Sequence, residues 1–161
     1  MQRLLKITIL LLTLSLIQCS NDDNSESNSL LVNGAAFKIG ENTDVIVNEG
    51  AVNFTLGEKS EDGGRLLQVF AMYSGDNATG TYTLRSNLIE PGVANVALYD
   101  QDGQIAGGSD NQPTGTLTIT HYGGEKYKLT FNDVTLDPGT SSETTISGSC
   151  MKTFPRAILI D

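Results

Sequence analysis

The chain has 161 residues, with ten Lys and Arg against nineteen Asp and Glu and a formal charge of −9. That balance excludes nucleic acid as a partner, because backbone phosphates demand a basic face. Two cysteines and a single histidine exclude a disulfide framework and a histidine zinc cluster.

Residues 1–18 carry Arg3 and Lys6, then an apolar run over residues 7–17 interrupted only by Thr8, Thr13 and Ser15. The run is about half of the roughly 20 residues a spanning helix needs, so it predicts a removable signal peptide rather than a membrane span. An ordinary signal should end on small residues, whereas Leu16-Ile17-Gln18 places bulky side chains directly before Cys19. This ending resembles the lipobox of bacterial lipoproteins, with Gln18 where Gly, Ala or Ser is usual. The resemblance implies that Cys19 is acylated and becomes the first residue of the mature chain. Several acyl chains, at about 0.8 kcal/mol per buried methylene, hold a protein on a membrane without a transmembrane helix. The alternative is a structural cysteine behind a cytoplasmic helix.

Residues 20–29 are polar throughout and acidic at Asp22, Asp23 and Glu26. Such a stretch buries too little apolar surface to offset the entropy of ordering, so residues 19–29 are expected to form a flexible tether. The acidic pair behind the cysteine also resembles the export signal of Bacteroidota surface lipoproteins. That resemblance implies that Asp22 and Asp23 route the protein to the outer face of the outer membrane. A plain solvated linker, with the protein on the periplasmic face, is the alternative.

Loss of Arg3 and Lys6 leaves 8 basic against 19 acidic residues, a mature charge of −11. Anionic lipid headgroups would repel this surface, while cationic ligands or calcium are permitted by it. With Cys19 consumed by a thioether, Cys150 has no disulfide partner and reads as a small buried hydrophobe. Residues 30–161 are long enough to form one domain on a single core without disulfides.

From Leu30 onward apolar residues recur with a period near two, which predicts strands and no helix. Leu30-Leu31-Val32 and Ala36-Phe37-Lys38-Ile39 flank Asn33-Gly34, a strong hairpin signal because both turn residues must tolerate positive φ. Val45-Ile46-Val47 predicts a short strand, and the next has Val52, Phe54 and Leu56 on one face. Residues 66–73 are apolar on both faces, as a central strand requires. Thr81-Tyr82-Thr83-Leu84 points Tyr82 and Leu84 inward. Residues 87–92 contain Pro91 and read as a loop.

Residues 93–99 are expected to pair with Gln104-Ile105-Ala106 across Asp100-Gln101-Asp102-Gly103. Asp-x-Asp-Gly opens many calcium loops, but the twelfth position, where a bidentate Glu belongs, is Asn111. A hairpin turn is therefore the leading reading, and an irregular calcium site from Asp100, Asp102 and Asp110 is the weaker one. No metal or other cofactor is expected.

Residues 107–113 read as a flexible loop. Thr116-Leu117-Thr118-Ile119-Thr120-His121 and Lys126-Tyr127-Lys128-Leu129-Thr130-Phe131 then form the clearest hairpin in the chain. After Phe131 the apolar positions shift parity to Val134 and Leu136, predicting a β-bulge at Asn132-Asp133. Pro138-Gly139 predicts a turn, Ile146, Gly148 and Cys150 share a face, and residues 157–160 read as a final strand. Residues 115–136 and Ile146-Ser147-Gly148-Ser149 are similar to the C-terminal half of small Bacteroidota lipoprotein domains, a resemblance that carries no catalytic residues.

These elements predict an all-β fold, an antiparallel β-sandwich of roughly ten strands, with a closed lipocalin-like barrel as the alternative. A non-catalytic binding module for a glycan or protein ligand is the leading function, with contacts from the loops at 87–92 and 107–113. A small-ligand carrier is the second, its cavity lined by Tyr73, Tyr82, Tyr99, Tyr122 and Tyr127. A carboxylate-based hydrolase is the third, although no spacing selects a pair of acids. His121 at a strand end reads as structural.

Overall fold

The computed structural model describes residues 27–60, 64–86, 90–108 and 110–156. The signal segment, Cys19, Asp22, Asp23 and the strand expected over 157–160 lie outside them. The described residues contain twelve strands and no helix. In chain order they are β1 (Ser27–Asn28), β2 (Leu31–Val32), β3 (Ala35–Ala36), β4 (Ile39–Asn48), β5 (Ala51–Glu58) and β6 (Leu66–Met72), followed by β7 (Gly80–Leu84), β8 (Val93–Asp100), β9 (Gly103–Ala106), β10 (Thr114–His121), β11 (Lys126–Leu136) and β12 (Thr144–Thr153).

All of them belong to one sheet, ordered β3-β2-β12-β11-β10-β7-β8-β6-β5-β4, with β1 on β12 and β9 on β8. The expectation of an all-β fold holds, and the contrast between sandwich and barrel dissolves in a single sheet curled over one core. Phe54 on β5 meets Tyr127 on β11 edge-to-face at 5.0 Å, although five strand steps separate them along the sheet. Phe154, just past β12, closes the group at 5.1 Å from Phe54. The interior side chains Phe37, Phe54, Phe131 and Phe154, with Leu30, Leu67 and Leu129 among others, are fully buried in one cluster.

Local chemistry explains most of the elements. Asn33 and Gly34 take φ of 51° and 75°, the pair of positive values a two-residue hairpin turn needs, and they join β2 to β3. In the β10–β11 hairpin Ile119 faces Leu129 and Leu117 faces Phe131, all buried. The bulge falls where the parity shift placed it, between Phe131 and Val134, with Asp133 at φ 49°. Gly115 lies against this bulge, and any Cβ there would meet the carbonyl oxygens of Asn132 and Asp133.

Three features depart from expectation. Ser27 and Asn28, read as tether, pair with Met151 and Cys150 of β12. The Asn28 amide donates to the Phe37 carbonyl and its Oδ1 accepts from the Leu30 N–H, so a polar residue is held by local bonds that hydropathy does not register. The strand expected at Val45-Ile46-Val47 is ten residues long, because β5 supplies a ladder for polar residues as well. And β7 meets β8 in parallel, through Thr83 with Val93 and Leu84 with Ala94. This two-residue pairing joins the halves of the sheet on one side. On the other side a single parallel bridge, Val45 with Arg156, brings the sheet's two ends together.

Candidate functional site

Ahead of that bridge the ends of the sheet diverge, and a cleft of about 410 Å³ opens between them, lined by residues 39–42, Glu58, Lys59, Ser60 and Lys152. A smaller hollow of about 150 Å³ shares Ile39 and Lys152 and reaches Ser27 and Asn28. Glu41 and Lys152 each stand four residues before the bridge, on β4 and β12. They therefore occupy equivalent places on opposite walls of the seam.

The β4 wall is a bulge. Between the pairs Ile39 with Glu58 and Thr43 with Leu56, β4 spends two more residues than β5. The excess arches residues 40–42 outward, and the buried Thr43 hydroxyl donates to the Gly40 carbonyl at 3.0 Å to fix the arch. Three glycines allow the surrounding segments to close in. A Cβ on Gly57 would collide with the Asn42 carbonyl, one on Gly64 with the Glu58 carbonyl, and one on Gly40 would press on the Lys59 backbone at 3.3 Å. The Lys59 N–H donates to the Lys38 carbonyl at 2.6 Å, tying the cleft floor to the strip that precedes β4.

Charge is arranged with equal care. Arg65 grips Glu58 with Nε–H to Oε2 and Nη2–H to Oε1, both at 2.7 Å, and its guanidinium lies 5.6 Å over the Phe37 ring. The hydrogen bonds from Arg65 hold the Glu58 carboxyl below the usual glutamate range, and those to Glu58 raise Arg65 above its ordinary value. Glu58 is thus neutralised by its partner. Lys59, Lys152 and Glu41 are the other charged residues among the described lining of the cleft.

The residues singled out by sequence lie elsewhere. Asp100 Oδ1 accepts the Asp102 N–H at 2.9 Å inside the β8–β9 turn, while Asp110 sits in the following loop. Among the described residues no group of three or more His, Cys, Asp and Glu side chains converges as a metal site, so these three aspartates are not brought together. Of the loops expected to carry recognition, 107–113 is tied down: the Gly107 N–H donates to Asp137 Oδ2 and the Asn111 amide to the Pro138 carbonyl, each at 2.8 Å. Residues 87–89 and Ser109 lie outside the described residues. Tyr82 and Tyr127 are core residues, with burial raising both phenols, and Tyr122 is exposed. His121 stacks on Tyr127 at 4.5 Å, with Nε2 placed 2.7 Å from the Gly124 carbonyl. Cys150 is buried, and burial pushes its thiol up to about 12, which removes it as a nucleophile.

Sequence reasoning passed over the cleft because its parts lie far apart along the chain. The one local sign was polar Gly40-Glu41-Asn42 interrupting a strand pattern.

No known protein family, no curated protein and no solved structure matches this chain. Among the described residues no helix is long and apolar enough to cross a membrane.

Proposed function

We propose that this chain is a lipoprotein, acylated at Cys19 and carried to the outer face of the outer membrane by Asp22 and Asp23, that serves as a non-catalytic binding module. Its binding surface is the seam cleft between β4 and β12. The observation that carries the reading is the built wall of that cleft: a fixed bulge, three close-approach glycines and two lysines at one opening. Bulges are over-represented at sheet edges and next to active sites, where they re-aim a side chain.

Binding is favoured over catalysis because Glu58 is not poised as an acid. Glu58 has both oxygens engaged by Arg65 and is held ionised, whereas glycoside hydrolysis needs one carboxyl kept protonated. A module is favoured over a small-ligand carrier because the four buried phenylalanines occupy the interior where a carrier's cavity would lie. Ser27 lines the hollow beside the cleft, and eight residue steps separate it from Cys19, a span of at most about 28 Å. The cleft would then work close to the membrane.

Protease shaving of intact cells, with a lysed control, tests the placement. Loss of the domain on intact cells is expected, and protection would move the protein to the periplasmic face. Cys19→Ala should release the chain from the membrane fraction, and retention there would refute the anchor.

A further inference from the structure

The turn between β2 and β3 carries a chemistry of its own, whatever the chain binds. We infer that Asn33 is a site of spontaneous covalent modification, at which the Gly34 nitrogen attacks the Asn33 side-chain amide and the resulting succinimide opens to aspartate and isoaspartate. The Asn-Gly dipeptide occurs once in the chain. Both residues are exposed, and beyond its chain neighbours no atom lies within 4 Å of the place a Gly34 Cβ would take, so the nucleophile is unhindered and water has access.

The backbone is already part of the way to the ring. Asn33 and Gly34 have φ of 51° and 75°, both positive, as in a type I′ turn. Ring closure eclipses Asn33 Cβ with the Gly34 nitrogen and so requires ψ of about −120°, which together with positive φ is the first central position of a type II′ turn. The two turns differ by a flip of the peptide between residues 33 and 34. Asn33 holds the φ that both share, and Gly34, which must cross to negative φ, takes either sign about equally readily. The flanking pair of Val32 with Ala35 survives the flip, because both turns are two-residue hairpin connections.

The side chain is polarised in the direction the reaction needs. Thr145 on β12 donates its N–H to Asn33 Oδ1 at 2.8 Å and its hydroxyl to the same oxygen at 3.4 Å. Negative charge develops on that oxygen in the tetrahedral intermediate, and the donors that stabilise it are in place beforehand. The Asn33 N–H, donating to the Thr145 carbonyl at 2.8 Å, holds the residue while the peptide beyond it turns. The bond from Gly34 nitrogen to Cγ forms, the bond from Cγ to Nδ2 breaks, and Nδ2 leaves as ammonia with the Gly34 proton. Water then opens the ring at Cγ to give aspartate, or at the Asn33 backbone carbonyl to give isoaspartate. Aspartate keeps both Thr145 donors. Isoaspartate routes the backbone through Cβ, one atom longer in a connection whose length sets register, and so unseats β3 from β2.

Incubation of the full chain in detergent, at mildly alkaline pH in heavy-oxygen water and followed by peptide mapping, tests the inference. Heavy oxygen is expected at residue 33 ahead of every other asparagine. The reaction should run roughly tenfold faster in the native protein than in guanidinium, a factor below that of an oxyanion donor in a dry site because the turn is exposed. Isoaspartate, detected by isoaspartyl methyltransferase labelling, should accompany aspartate. Gly34→Ala should suppress the native reaction by hindering the nucleophile and the flip. Thr145→Val, which removes the hydroxyl donor alone, should slow the native reaction and leave the rate in guanidinium unchanged. A native rate at Asn33 no faster than in guanidinium would overturn the inference, as would earlier modification of any other asparagine. An unchanged native rate in Thr145→Val would overturn the part given to its hydroxyl, and aspartate without isoaspartate would overturn the loosening of β3. None of these results depends on the membrane anchor or on what the cleft binds.

Discussion

The backbone N–H of Val45 donates to the carbonyl of Pro155 at 2.9 Å, and at this bond the first long strand of the sheet touches the chain that leaves the last one. Phe154, the residue before that carbonyl, is fully buried against Phe54 and Tyr127, so packing holds the contact in place. Phe154→Ala is expected to cost about 3–5 kcal/mol in urea unfolding, as for other large-to-small core changes. A loss below about 1 kcal/mol would show that the ends of the sheet meet without consequence for stability.

The ion pair of Glu58 and Arg65 gives a pH dependence with a definite sign. Arg65 lowers the Glu58 pKa in the folded state, so at acid pH the unfolded chain binds the extra proton. The stabilisation is therefore complete above the ordinary glutamate range and disappears as pH falls through the lower folded value. Against Glu58→Gln the wild type should be more stable by about 1 kcal/mol at neutral pH. That margin should vanish in acid, and a margin that grew in acid would contradict the assignment.

Gly115 and Gly123 both have positive φ, 84° and 97°, yet only Gly115 faces backbone that a Cβ would strike. Gly123→Ala should cost the conformational strain alone, about 1–2 kcal/mol. Gly115→Ala should add crowding against Asn132 and Asp133, for a total of about 2–4 kcal/mol. Equal losses in thermal melts would mean that the bulge yields to the added methyl.

Thiol titration reads both cysteines at once. Cys150 should be unreactive toward a disulfide reagent in the native mature protein and should react once in denaturant. Two thiols in denaturant would place a free sulfur at Cys19 and contradict acylation.

What could be read along the chain was whatever neighbours in sequence decide. Asn33-Gly34 carries its own turn geometry, and the alternation from Thr116 to Phe131 fixes a register in which one slip would expose Leu117, Ile119 and Leu129 together. The parity change at Asn132-Asp133 exposed a bulge for the same reason. The two seams were not legible, because neither the two-residue β7–β8 contact nor the Val45 bridge has a local signature. The cleft shares that fate: Glu41 and Lys152 lie 111 positions apart, and Glu58 and Arg65 sit across a polar loop that reads simply as solvated.

The short β1–β2 strip along the outer edge of β12 has a mechanical consequence. Tension applied through the residues ahead of Ser27 would load that strip first, through the two pairs Ser27 with Met151 and Asn28 with Cys150. Behind them stand Leu30, Val32 and Phe37, sunk in the interior, which a pull would have to drag into water before the strip came away. Under a pull from the N-terminal side the two-residue pairings of β1 and β2 would therefore yield before the long ladders of β11 and β12, which share nine pairs.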